Sequence, residues 1–65
     1  MYERVAELAK KKGLSISKIE RLANLANGTI GQWKYRDARG RSIVKVAKVL
    51  EVSTDYLLGV DEEDN

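Results

Sequence analysis

The sequence predicts an all-α fold of five short helices. Three observations carry this: proline is absent, apolar residues recur at helical spacing along most of the chain, and no segment alternates cleanly over strand length. At 65 residues the chain is one domain, read as residues 1–60. A chain of this size buries only around 60% of the surface it exposes when unfolded, so its core is small.

The first helix carries Val5, Leu8 and Ala9 as its apolar stripe. Glu7 is placed to pair with Lys10 and Lys11 on the wet side. Three lysines followed by Gly13 make a good C-terminus, because cations suit the last turn and glycine suits the left-handed position beyond it. The second helix begins near Ser15. Ser17 and Glu20 spell a competing capping box, but their flanks, Ile16 and Arg21, form no hydrophobic staple, whereas Leu14 and Ile19 around Ser15 do. Ile16, Ile19, Leu22 and Ala23 supply its buried stripe. Asn24, tolerant of left-handed backbone, turns the chain.

The next segment, NGTIGQWKYR (residues 27–36), reads two ways. Asn-Gly is a favoured turn, so this is a turn followed by irregular chain. Alternatively Ile30 and Trp33, at i and i+3, anchor a third helix from behind, with Ala26 beside them, despite Gly28 and Gly31 each costing about 1 kcal/mol relative to alanine. On the helical reading Gly28, Gly31, Gln32 and Tyr35 face outward, with Asn27 and Thr29 at the edges, and that reading is preferred. Ile43, Val46, Ala47 and Leu50, with Val44 alongside, predict a fourth helix. Ser53 caps a short fifth one, stapled by Val52 and Leu57 and ended by Gly59.

Charge is unevenly spread. The net charge is +2, and removing Asp61, Glu62, Glu63 and Asp64 raises it to +6. Residues 34–48 carry Lys34, Arg36, Arg39, Arg41, Lys45 and Lys48 against Asp37 alone. A basic stripe beside a polar helix points to nucleic acid, and a solvated face is the plain alternative. The acidic tail, residues 61–65, is expected to be disordered. With no cysteine or histidine, no thiolate or imidazole metal site, disulfide or cysteine- or histidine-based catalysis is indicated. Neither a membrane span nor a signal peptide is visible, so a cytoplasmic protein without cofactor or small-molecule ligand is expected.

Two helices joined by Asn24-Leu25-Ala26 form a helix-turn-helix, whose second helix enters the major groove. The bare outward face lets Gln32 and Asn27 project, and their amides match adenine's donor and acceptor, worth about 1 to 3 kcal/mol of discrimination each. At this point LSISKIERLANLANGTIGQW (residues 14–33), with VSTDYLLG (residues 52–59), resembles the Cro/CI-type (XRE, lambda-repressor-like) family of bacterial and phage regulators. The resemblance covers about residues 2–60. It implies a compact five-helix DNA-binding domain, a dimer (or dimer on DNA only), and a repressor of phage or mobile-element type on a palindromic operator.

Matched position by position, it implies a recognition helix over residues 27–34, with Asn27, Gly28, Thr29 and Gln32 near bases or phosphates and Gly31 on the same face. Ser15 and Ile16 begin the second helix, whose N-terminal amides approach a phosphate, with Ser17 also on the DNA side; Lys34, Tyr35, Arg36, Arg39 and Arg41 follow the backbone on the other side. The chain departs from the family in five places. Ala26 stands where a capping serine or threonine is common, so that Asn27 caps the helix or reads a base. Asn24 replaces the usual turn glycine, and Glu20 and Ile16 replace an alanine and a polar residue. Gly40 inside DARGRS either opens backbone amides to a phosphate or is a loop irregularity.

The rival reading is a protein-interaction module on the same fold, such as an antitoxin or adaptor. Its feature is the apolar end, Tyr56, Leu57, Leu58 and Val60. Tyr56, Leu58 and Val60 serve a homodimer interface equally well.

Overall fold

The structure is a computed structural model and describes residues 1–60; the acidic tail expected to be disordered lies outside the described residues. Four α-helices form: α1 (Tyr2–Lys12), α2 (Ile16–Leu22), α3 (Gly40–Leu50) and α4 (Thr54–Leu58). Between α2 and α3 the chain makes a 3-10 helix, Gly31–Lys34. Among the described residues no strand forms, and no helix is long and apolar enough to cross a membrane.

The predicted caps form where the residue chemistry placed them. The Ser15 hydroxyl accepts the Lys18 N–H at 3.0 Å, and the Ser53 hydroxyl accepts the Tyr56 N–H at 3.0 Å. Each orphan amide so satisfied is worth about 1 kcal/mol. The helix ends share one device. Past each α-helix a left-handed residue (Gly13, Asn24, Glu51, Gly59) reverses the chain. Its N–H and the next residue's N–H then bond back to carbonyls of the last turn, as Gly13 to Lys10 at 3.2 Å and Leu14 to Ala9 at 2.8 Å. This is the Schellman pattern.

The core is built around α3, which packs on α2 and on α4, while α1 packs on α2 and on the 3-10 helix. Ile43, Val46, Ala47 and Leu50 of α3 meet Val5 and Ala9 of α1, Ile19 and Ala23 of the α2 region, Ile30, Trp33, and Leu57 of α4. Two expectations fail here. Leu22 is 54% exposed, and Ala26 is exposed rather than inward. From Ile16 the i, i+3, i+4, i+7 stripe runs through Ile19, Glu20 and Ala23, so the buried position falls to Glu20, at 2% exposure.

The expected helix over residues 27–34 is also corrected: among the described residues there are four α-helices, with a 3-10 helix, Gly31–Lys34, in place of the third of the expected five. Thr29 N–H donates to the Ala26 carbonyl at 3.1 Å, and Gly28 sits at φ 94°, the positive φ that a type II turn requires at its third residue. The Thr29 hydroxyl donates to the same carbonyl at 2.7 Å. Only then does the chain wind, with Trp33 N–H donating to the Ile30 carbonyl at 2.9 Å and Tyr35 N–H to that of Gln32 at 2.9 Å. The reason lies in the spacing. Ile30 and Trp33 at i, i+3 suit a 3-10 helix of about three residues per turn as well as an α-helix. The apolar i+4 and i+7 partners that would demand an α-helix are Lys34 and Asp37.

Candidate nucleic-acid interface

The turn after α2 brings some of the expected functional residues together. An open cleft of about 320 Å³ is lined by Leu25, Thr29, Gln32, Trp33, Arg36, Asp37, Arg39 and Ser42. A second depression, lined by Ser17, Glu20, Arg21, Leu25 and Asn27, adjoins it at Leu25. The two together bring Ser17, Asn27, Thr29, Gln32, Arg36 and Arg39 onto one continuous surface. Ser15, Tyr35 and Arg41 are exposed but line neither hollow.

The 3-10 winding decides which side chains share a side. With about three residues per turn, residues i and i+3 eclipse, so Gln32 stands beside Thr29 and Lys34 beside Gly31. Thr29 and Gln32 accordingly line the cleft together. Lys34 is drawn the other way: its Nζ lies 4.8 Å from the centroid of the Tyr2 ring on α1, a cation–π contact. Gly31 is half-buried, and a Cβ there would meet nothing within 4 Å. Gly28 is exposed with open space around it.

At the far wall of the cleft, α3 begins at Gly40 with Arg39 as its N-cap and no side-chain hydrogen bond across the end. Its first amides therefore lie open between Arg39 and Arg41, with positive partial charge from the helix dipole. The alternative of an irregular loop at Gly40 is set aside by this: Gly40 is the first helical residue.

Sequence reasoning missed Glu20, Arg21, Leu25 and Ser42 as parts of this surface. Glu20 is the most informative. Its Oε1 accepts the Gly28 N–H at 3.0 Å and its Oε2 accepts the Ile30 N–H at 2.8 Å. Such charge-assisted bonds offset the cost of burying the carboxylate. Glu20 thus does the capping that the absence of serine or threonine at Ala26 left open, and Asn27 stays exposed. The signal was present in the sequence: an acid on the inward stripe of α2 needs a buried donor.

The expected dimer residues lie at the other end of the chain. Leu58 and Val60 are 50% and 46% exposed. Tyr56 is half-buried, its ring lying 4.6 Å from the Arg4 guanidinium of α1.

Over 62 residues, 92% of the chain, the sequence is 32% identical to the HTH-type transcriptional regulator ImmR of Bacillus subtilis (strain 168). The chain spans about half, 49%, of that protein's length. No family model matches the chain, and no solved structure matches it.

Proposed function

The chain belongs to the Cro/CI-type helix-turn-helix family of transcriptional regulators, and from that premise we propose that it binds duplex DNA sequence-specifically to regulate transcription. The observation that carries the proposal is the joined surface around Leu25, where amide and hydroxyl side chains are flanked by arginines. Amides read base edges and arginines hold phosphates, which is the division of labour a major-groove reader needs. The role is that of a binding protein and not of an enzyme.

In this reading Gln32 and Asn27 meet base edges, with Thr29 beside Gln32. The bare backbone at Gly28 allows close approach. Arg36 and Arg39, with Arg41 and the open amides at the start of α3, hold phosphates on one flank. Ser15, Ser17 and Arg21 hold them on the other. Lys34, drawn to the Tyr2 ring of α1, is given no base contact; Gly31, where a Cβ would meet open space, adds to the bare backbone, and Tyr35 borders the backbone path. The protein acts as a repressor of phage or mobile-element type, occluding a promoter as a dimer joined through Leu58, Val60 and the exposed part of Tyr56. Its two half-sites lie about 34 Å apart, one turn of B-DNA.

Salt dependence of duplex binding tests the class. Four to six phosphate contacts per subunit should give a log–log slope near −0.9 for each phosphate neutralised. Arg36→Ala and Arg39→Ala should each weaken binding to all sequences and flatten the slope by about one. Duplex binding that is absent, or indifferent to salt, would point instead to a protein-interaction module.

A further inference from the structure

The geometry points to Glu20 as a positioning residue for sequence readout, an assignment that rests on the proposed DNA interface. Glu20 is 2% exposed on a stripe of α2 where an aliphatic side chain would pack without desolvating a charge. What the acid provides is reach. Its two oxygens hold the N–H groups of Gly28 and Ile30 at 3.0 and 2.8 Å, on either side of Thr29. Its own carbonyl accepts the Leu25 N–H at 2.8 Å. Three amides between residues 25 and 30 are therefore referenced to a single residue of α2.

The side chains that face the groove hang from this frame. Asn27 precedes the first bonded amide and Thr29 lies between the two. Gln32 follows, its N–H directed at the Gly28 and Thr29 carbonyls at 3.2 and 3.3 Å. The turn at Gly28 and the 3-10 winding after it are kept in register with α2 by the Glu20 carboxylate, and with them the direction of Gln32.

Electrostatics makes the role separable from simple charge. Glu20 borders the same depression as Ser17, Arg21 and Asn27, so its negative charge opposes phosphate binding. Removing that charge alone would tighten binding to every duplex. Removing the frame would loosen binding to the correct sequence.

The test uses Glu20→Gln, which keeps the length but turns one acceptor into a donor, and Glu20→Asp, which keeps the charge but withdraws it. Binding is measured to a duplex carrying the motif that the wild-type protein selects from random DNA, and to a scrambled duplex of the same length. Circular dichroism and amide hydrogen exchange on the free proteins report folding and the Gly28 and Ile30 N–H groups. Both variants should fold and exchange those two amides faster. Each should lose roughly tenfold in the ratio of selected to scrambled binding, within the range of one mismatched base pair. The salt slope on scrambled DNA should not change.

A ratio unchanged in both variants despite faster amide exchange would reduce Glu20 to a brace and overturn the assignment. So would uniform tightening on both duplexes with Gln and wild-type behaviour with Asp, the signature of charge alone. Failure of the interface reading itself looks different: the wild-type protein would then select no motif.

Discussion

Gln32 is exposed and shares its cleft with Thr29, Arg36 and Arg39, so its truncation removes polar reach while leaving the core intact. Gln32→Ala should relax preference at one or two base positions, by about 1 to 3 kcal/mol, and leave binding to scrambled duplex nearly unchanged. A uniform loss across sequences, measured on a panel of single-base variants, would deny it a reading role. Gly28 is constrained by backbone, not by space. A Cβ would meet nothing within 4 Å, yet φ is 94°. Gly28→Ala should cost about 1 to 2 kcal/mol in denaturant unfolding, and a neutral result would show that the turn relaxes freely. Much at this scale was legible before the structure: the Ser15 and Ser53 caps and the left-handed Gly13, Asn24 and Gly59 follow from residue chemistry. Glu20 was legible only as an acid on the inward stripe of α2; its partners were not, because they lie eight and ten residues away, where local spacing says nothing.

Among the elements, α3 ends least comfortably. Glu51 holds the left-handed position at φ 61° with its N–H on the Lys48 carbonyl at 3.2 Å, in the same motif that glycine serves after α1 and α4. Removing the Cβ relieves the strain, and Glu51→Gly should stabilise the domain by about 0.5 to 1 kcal/mol. At roughly 4 to 8 °C per kcal/mol for a domain this small, the gain is readable as a rise in Tm. A fall would mean that the Glu51 side chain contributes more than the turn costs. The segment from Asn27 to Lys34 shows where pattern reading stops. Two apolar residues at i, i+3 fix a side but not a period, and the Asn-Gly turn preference settles the start of the segment. The Ile43–Leu50 stripe, with four apolar positions at helical spacing, left no such freedom, and α3 forms as expected.

The whole molecule leaves apolar surface next to the proposed DNA face, the two sharing Trp33, Arg36 and Asp37. Leu58 and Val60 are exposed, and Leu58 also borders a groove of about 370 Å³ with Met1, Trp33, Arg36, Asp37 and Ala38. Leu58→Lys should keep the fold, since half of that side chain already meets solvent. On a palindromic duplex it should bind one half-site with little loss yet fail to occupy both together, as read by sedimentation of the complex. Undiminished double occupancy would remove Leu58 from the interface. The all-helical class and the core were legible because few residues had to do all the burying. The joined surface around Leu25 was only partly so, because it depends on how α2, the turn and α3 are set against one another. Selection of binding sites from random duplexes at physiological salt tests the central claim most directly. A dimer that reads sequence in this way should enrich one palindrome, with half-sites one helical turn apart and a preference that weakens in Gln32→Ala. A pool that stays random, bound only through salt-sensitive contacts, would contradict it.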